Sequence, residues 1–331
     1  MIRFKILLIC FFTLIIDLSC SKTEPKSCFL EGNVFGTSFH ITYEGKNDYS
    51  RQIDSLFHAL NKSLSTYESE SDISNINKGD NSILVDSYFI EVFEKAKRIY
   101  KETDGVFDPT IGVLVNAWGF GPNEGIPNLE EEQISKLLQL VGYHNVALKE
   151  NRVYKKFPNI YLDYNAIAKG YGIDVVARFL ESQNIVNYMI EIGGEIRAKG
   201  VNGKGNVWKI GIEKPSTDGS RSLQEVVELN NESMATSGNY RKFKIDPLTG
   251  EKYVHTIDTK TGYTAKRDLL SASVIASMDC ADVDGYATAF MAMGFSKTKE
   301  FLKMHPELKV YLIYLDEEGK TRNYANFPLA K

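Results

Sequence analysis

Hydrophobic and polar residues recur along the chain with two different periods, and these periods separate predicted strands from predicted helices. Residues 38–43, "SFHITY", alternate every second position, which predicts a strand. In the next stretch apolar residues recur every three or four positions, which predicts an amphipathic helix with Ser50 as its N-cap. The apolar positions of that helix are Ile53, Leu56, Phe57, Leu60 and Leu64. Residues 64–80 are rich in serine and asparagine and predict a polar loop.

A second helical pattern follows and is predicted to end near Gly105. Its apolar face consists of Phe89, Val92, Phe93, Ala96, Ile99 and Tyr100. Residues 104–125, "DGVFDPTIGVLVNAWGFGPNEG", contain several glycines and prolines but are too apolar for a flexible linker. Ordered irregular segments of this kind are often functional. Residues 129–141 again have helical spacing.

The second half of the chain is richer in predicted strands, separated by turn signals. The predicted strands are residues 159–163, 186–192, 207–213, 225–230 and 241–246. Helices are predicted over residues 167–183 and 282–294. The chain then shows a short helix and a hairpin whose strands are residues 309–315 and 321–327. Hairpins interleaved with helices predict the α+β class, with mixed or antiparallel sheets, rather than a doubly wound parallel sheet.

The first twenty residues differ in composition from the rest. Arg3 and Lys5 precede an apolar run over residues 6–16, which is too short to span a bilayer but fits the core of a secretory signal. The run ends at Cys20, as in the lipobox of a bacterial lipoprotein. Asp17 departs from that pattern, so a plain secretory signal is the alternative. The lipoprotein interpretation gives a signal peptide over 1–19, a tether over 20–28, and a single domain over 29–331. It places that domain on the periplasmic side of the bacterial inner membrane, anchored by lipid at Cys20.

Composition and charge give no support for a nucleic-acid-binding, disulfide-rich or zinc-binding protein. The chain has 331 residues, of which 43% are hydrophobic and 25% charged, and its net charge is only −4. These values are typical of a soluble globular domain and give no indication of nucleic-acid binding. Outside the signal and Cys20, the cysteines are Cys28 and Cys280. Two cysteines so far apart form neither a disulfide framework nor a zinc-binding pattern.

Lys169 lies in the first turn of the helix predicted from residue 167, within "LDYNAIAKGYGID". A lysine there opposes the helix dipole, but it suits a site where a phosphate binds the free N–H groups. Small residues at 166, 168 and 170 would let such a ligand approach. The alternative is a surface lysine on an ordinary amphipathic helix.

Asp284 and Thr288 are four positions apart and share one face of a predicted helix. A carboxylate and a hydroxyl are hard oxygen ligands that suit Mg²⁺. The alternative is a capping aspartate and a threonine bonded to its own helix. His255 lies at a strand edge and is either structural or functional. Paired glycines in "IGGE" indicate a tight turn or room for a ligand. The chain contains no GxGxxG after a strand, no P-loop, no GxSxG and no HExxH motif.

Taken together, these segments resemble the FAD:protein FMN transferases, the ApbE family of periplasmic flavin-transfer lipoproteins. The resemblance covers nearly the whole chain after the signal. The matching segments, in order, are "VFGTSFHI", "LSTY", "DGVFDPTIGVLVNAWGFG", "AIAKGYGID", "IGGE", "TSGNY", the H-x-I-D-x-x-T-G pattern from His255, and "ADVDGYATA". Departures from the family pattern are Phe35 for a usual methionine, Asn165-Ala166 for a common Gly-Gly, and Thr259 for a proline.

The resemblance implies an ApbE-like fold and Mg²⁺-dependent transfer of FMN from FAD to a threonine hydroxyl of a partner protein, with release of AMP. Typical partners are subunits of membrane redox pumps. It implies Mg²⁺ ligands at Asp284, Thr288 and the Ala166 carbonyl, and catalytic roles for Asp284 and for His255 as the base. It implies FAD contacts from Phe35, Tyr67, Val106, Phe107, Asp108, Lys169, His255 and Ile257. Two alternatives remain: an FAD pyrophosphatase that releases FMN and AMP, and a non-catalytic flavin-binding lipoprotein.

Overall fold

The structure is a computed structural model that describes residues 27–126, 129–215, 222–239, 243–245 and 252–329. The predicted signal peptide, Cys20 and most of the predicted tether lie outside these residues, so their assignments remain predictions. Within the described ranges, no helix combines the length and the apolar character that crossing a membrane would require.

An eight-stranded sheet forms the centre of the fold, and each pair of neighbouring strands in it is antiparallel. Fourteen strands are described in all: β1 Ser27–Val34, β2 Thr37–Glu44, β3 Val146–Lys149, β4 Arg152–Lys155, β5 Tyr188–Ile192, β6 Glu195–Lys199, β7 Trp208–Glu213, β8 Leu223–Leu229, β9 Glu232–Gly238, β10 Phe243–Ile245, β11 Lys252–Val254, β12 Leu269–Ala276, β13 Lys309–Leu315 and β14 Thr321–Ala325. The order in the large sheet is β1-β2-β5-β6-β9-β12-β13-β14, and the other six strands form three hairpins.

Eight α-helices accompany the sheet among the described residues: α1 Ser50–Leu64, α2 Asp72–Lys78, α3 Ser87–Glu102, α4 Gly112–Ala117, α5 Glu131–Leu138, α6 Ala168–Ser182, α7 Cys280–Met293 and α8 Phe295–Leu302. Helix α7 is the innermost. Of its residues, all except Thr288 are buried, and the helix packs against α6, β9 and β12. A helix that is apolar on nearly every face is stable only inside a core. Asp284 therefore lies in the interior of the fold.

The structure confirms the α+β class and most of the predicted helices and strands. Three local predictions were wrong. Ser50 is the first residue of α1, and the N-cap position is Tyr49. The predicted polar loop contains α2, because the Ser71 side chain caps it and Ile73 and Ile76 are buried. Residues 159–163 form no strand beyond an isolated bridge from Tyr161 to Ile111. Strands β1, β3, β4, β9, β11 and β12 were also not predicted.

Candidate functional site

A cavity of about 690 Å³ opens beside the large sheet, between the first turn of α6, helix α7 and the hairpin β7–β8. Ten of the predicted site residues line it: Tyr67, Val106, Phe107, Asp108, Ala166, Lys169, His255, Ile257, Asp284 and Thr288. These residues come from segments far apart in the sequence, so the fold brings the predicted motifs together. A cavity of this size can hold a dinucleotide-sized ligand in part.

Phe35 is the exception, because it does not line this cavity. It occupies the turn between β1 and β2 with a backbone φ of +51°, followed by Gly36 at +74°. Its ring packs edge-on against Phe57, with ring centroids 5.7 Å apart. The ring also covers Gly172, where an added Cβ would lie 2.6 Å from it. In this structure Phe35 therefore fills space between α1 and α6.

The floor of the cavity is a group of three charged side chains, of which two are buried and one is partly buried. Lys169 Nζ lies 2.9 Å from Glu195 Oε1 and 3.9 Å from Asp284 Oδ2. The exposed fractions of the three side chains are 29% for Lys169, 4% for Glu195 and 2% for Asp284. Lys169 is therefore an inward-facing residue, and the surface-lysine alternative is wrong.

Burial and the charges of the neighbouring groups shift the pKa values of all three side chains. Desolvation raises the pKa of Glu195 to about 7, although the Lys169 ammonium opposes that shift. Desolvation likewise raises the pKa of Asp284, although the charge of the Lys169 ammonium acts in the opposite direction. The pKa of Lys169 itself is raised, because the charges of Asp284 and Glu195 outweigh desolvation, which would lower it. The ammonium therefore stays charged in the interior, since two carboxylates face it.

The close contact of α6 with α7 holds this floor together. An added Cβ at Gly170 would lie 2.4 Å from the carbonyl oxygen of Cys280, so only glycine fits there. The Asp174 carboxylate accepts hydrogen bonds from the N–H groups of Cys280 and Ala281, at 2.8 and 2.9 Å. The sequence analysis had assigned the small residue at 170 to ligand approach. The structure shows that it allows helix packing instead.

Asp284 and Thr288 both face the cavity, as their spacing predicted. Asp284 Oδ2 accepts the N–H of Gly170 at 3.1 Å, and the Thr288 hydroxyl contacts Ser237 Oγ at 3.3 Å. Asp284 lies mid-helix, with Asp279 at the N-cap position. The alternative of a helix-capping aspartate is thus wrong, and the Thr288 hydroxyl contacts strand β9 through Ser237. Among the residues described, no three or more His, Cys, Asp or Glu side chains cluster as a metal site. The oxygens of Asp284, Thr288 and Ala166 remain the candidate Mg²⁺ ligands.

Two further predicted residues have partners already. The Asp108 carboxylate accepts hydrogen bonds from Thr110 and from the N–H of Tyr143, so it orders the loop around it. The ring of His255 lies edge-on to Phe120, with centroids 6.3 Å apart. His255 belongs to the cavity wall after β11, and a proton acceptor could reach a bound ligand from there.

The model of the ApbE family matches residues 35–312. The FAD:protein FMN transferase of Haemophilus influenzae is 36% identical over 320 residues, which cover 92% of this chain and 91% of that protein. This chain belongs to the ApbE family.

Solved structures of the ApbE family share the fold. The flavin transferase ApbE of Vibrio cholerae has a TM-score of 0.80 at 35% identity, covering 91% of this chain and 97% of the solved one. The apo form of the Pseudomonas stutzeri flavinyl transferase ApbE has a TM-score of 0.79 at 28% identity, covering 91% and 95%. These relatives are transferases by name, and this ApbE family member is an enzyme of the same type.

Sequence reasoning did not single out two side chains of the ApbE site. Glu195 ends the "IGGE" segment, and Ser237 lies in "TSGNY". Both segments carried the family resemblance. However, no residue three or four positions away pairs with Glu195 or Ser237 in the way that Asp284 pairs with Thr288. Their roles depend on contacts with Lys169 and Thr288, which only the fold creates.

Proposed function

We propose that this protein transfers FMN from FAD to a threonine hydroxyl of a partner protein and releases AMP, with Mg²⁺ as the required metal. The observation that carries the proposal is the cavity floor, where Lys169 lies close to Glu195 and Asp284 in a cavity that has both apolar and polar walls. A partly buried cation in the same cavity as apolar side chains suits a ligand that joins phosphates to flat rings.

The charge of the floor supports a role for a metal ion. With all three groups ionised, one ammonium and two carboxylates leave a net charge of −1. A pyrophosphate is itself negative, so it would be repelled by this floor unless a cation accompanied it. Asp284, Thr288 and the Ala166 carbonyl all offer oxygen ligands of the type that Mg²⁺ takes. Bound there, Mg²⁺ would neutralise charge on the phosphates.

The residues of the chain have separate tasks in this proposal. Lys169 holds a phosphate oxygen and remains protonated throughout. The apolar part of the cavity wall contacts the ring systems of FAD. Tyr67, which is 64% exposed, lies at the entrance. The apolar lining includes Val106, Phe107, Ile196, Ile210, Ile257 and Met234.

The transfer step needs a nucleophile, which the partner protein supplies. The threonine oxygen forms a bond to the phosphorus of the FMN half, and the bond from that phosphorus to the bridging oxygen breaks. AMP leaves with the bridging oxygen. His255 accepts the threonine proton. Phosphoryl transfer depends on positioning and charge neutralisation more than on covalent chemistry by the enzyme.

We further propose that the partner is a membrane redox-pump subunit and that the enzyme is anchored through Cys20 on the periplasmic side of the inner membrane. The support is the apolar run of residues 6–16 followed by Cys20. Lipidation would keep enzyme and acceptor on the same surface.

One experiment tests the activity directly. The protein is mixed with FAD, Mg²⁺ and an acceptor domain that bears a threonine motif, and the products are identified by mass spectrometry. We expect the acceptor to gain the mass of FMN, with one AMP released for each modified acceptor. Free FMN and AMP without acceptor modification would mean a pyrophosphatase. Unchanged FAD under all conditions would mean a flavin-binding protein without catalysis.

A further inference from the structure

Glu195 has one carboxylate oxygen that its surroundings leave without a partner. Its Oε1 accepts from Lys169 Nζ at 2.9 Å, whereas Oε2 is buried and lacks any hydrogen-bond partner among the described residues. The whole residue is only 3% exposed. A buried acceptor left unsatisfied is costly, so native proteins rarely keep one without a functional reason.

The position of Glu195 indicates what that reason is. The residue lines the cavity beside Lys169 and Asp284. A ligand that brings phosphates to Lys169 therefore brings its neighbouring atoms to Glu195. Ionised phosphates have no hydrogen to donate, and a carboxylate would repel them. Among the groups of such a ligand, one that satisfies the free oxygen of the Glu195 carboxylate carries an O–H or N–H.

We infer that Glu195 Oε2 accepts a hydrogen bond from a hydroxyl of the sugar or polyol chain that adjoins the pyrophosphate of the substrate. The inference rests on the proposed function, because it takes a dinucleotide such as FAD as the ligand. Lys169 already contacts this carboxylate, so its remaining oxygen suits a neutral donor rather than a second cation. Glu195 thus contacts the substrate and orients Lys169 at the same time.

A matched control exists in the same cavity. Glu191 also lines it, but both of its carboxylate oxygens have partners within the protein. The Nδ1 of His40 lies 2.6 Å from Oε2, and the N–H of Gly194 donates to Oε1 at 2.6 Å. The two glutamates therefore differ in one property: Glu195 has a carboxylate oxygen without a partner among the described residues, and Glu191 does not.

The test compares two ligands, FAD and inorganic pyrophosphate, each with Mg²⁺. Both carry the phosphates that Lys169 would meet, but pyrophosphate has no sugar or polyol hydroxyl. FAD affinity is measured by quenching of flavin fluorescence without acceptor, and pyrophosphate affinity by competition. The variants are Glu195→Ala, the isosteric Glu195→Gln, and Glu191→Gln as control, each checked for folding by its thermal midpoint.

For Glu195→Ala we expect FAD binding to weaken about 10- to 100-fold, the usual effect of losing a hydrogen bond to a charged group. Pyrophosphate binding should change much less. Glu195→Gln should lose less FAD affinity, because it keeps one acceptor oxygen. Glu191→Gln should leave the ratio of the two affinities unchanged.

Three results would overturn the inference. FAD affinity could be unchanged in folded Glu195 variants. Both ligands could weaken equally, which would mean that Glu195 only orients Lys169. Magnesium affinity alone could fall, which would make Glu195 a cation ligand. If the wild-type protein binds no FAD, the proposed function fails instead, and that outcome is separate from the other three.

Discussion

The backbone N–H of Gly170, in the first turn of α6, donates a hydrogen bond to Asp284 Oδ2 of α7 at 3.1 Å. This bond joins the residue after Lys169 to the candidate metal ligand. At Gly170 no side chain separates α6 from α7. The distance between Lys169 on α6 and Asp284 on α7 therefore depends on how closely the two helices pack.

The first prediction concerns that packing. Gly170→Ala should lower both the thermal midpoint and the transfer rate, because its Cβ would lie 2.4 Å from the Cys280 carbonyl. The overpacking penalty of about 1–3 kcal/mol exceeds the gain of about 1 kcal/mol from better helix propensity. Gly203→Ala, in an exposed loop, is the control and should change neither. Calorimetry and the transfer assay measure both effects, and an unchanged Gly170→Ala protein would contradict the prediction.

Replacing the candidate metal ligand should remove activity without unfolding the protein. Asp284→Ala should abolish FMN transfer and weaken Mg²⁺ binding, because it removes the charged ligand. Thr288→Ala should be milder, since water can replace a neutral hydroxyl. Magnesium titrations by calorimetry and by initial rate give both values. Asp54→Asn is the control, because Asp54 lies on the exposed face of α1 and does not line the cavity. Full activity of Asp284→Ala in chelator-treated buffer would rule out this site.

The proposed base predicts a separation of binding from chemistry. His255→Ala should bind FAD almost normally, but transfer should fall by roughly 10²–10⁴, the usual size of a general-base effect. Flavin fluorescence and initial rates measure the two properties. His40→Ala controls for loss of a cavity histidine. If the variant transfers FMN at the wild-type rate, His255 is not the base.

Acid stability should depend on Asp279. Lys95, Arg178 and Arg197 surround its carboxylate and hold its pKa well below the ordinary value, although desolvation acts in the opposite direction. A carboxyl with a lowered folded-state pKa stabilises the protein above the unfolded-state pKa, near 3.8. That stabilisation is lost as the pH falls below this value.

The corresponding variant is Asp279→Asn. Its thermal midpoint should be several degrees lower at neutral pH, because three cations lose their common partner. The difference from wild type should shrink below about pH 4, where the Asp279 carboxyl begins to protonate in the unfolded chain while it stays ionised in the folded protein. Asp104→Asn, which removes an exposed pair with Lys260, should match wild type. A constant difference down to pH 2, tested by calorimetry, would refute the assignment.

The predicted lipid anchor has its own test. Cys20→Ala should leave the protein without an acyl group and mostly in the soluble or unprocessed fraction, because the thiol is the attachment point. Cys10→Ala, within the apolar run, should keep the anchor. Mass spectrometry of protein made in its native host measures the acyl mass. A mature wild-type protein without acyl mass at Cys20 would show that the lipoprotein interpretation is wrong.

The sequence by itself determined the local elements and the family. Helices α1, α3, α6 and α7 were predictable, because apolar residues recur with a helical period along each of these segments. The segments around Tyr67, Asp108, Lys169, His255 and Asp284 carried the family resemblance, and ten predicted site residues from them line one cavity. Helix α2 escaped prediction, because its apolar signal consists of two isoleucines among polar residues.

Only the tertiary structure decided which of these residues meet. Lys169 and Glu195 are 26 positions apart, and Asp284 follows much later, yet all three share the cavity floor. Phe35 packs between α1 and α6 instead of lining the cavity, because its turn places the ring against Phe57 and Gly172. No local period encodes such contacts, since they depend on how α6 and α7 pack and on the order of strands in the sheet. The unpartnered oxygen of Glu195 could therefore be found only in the folded chain.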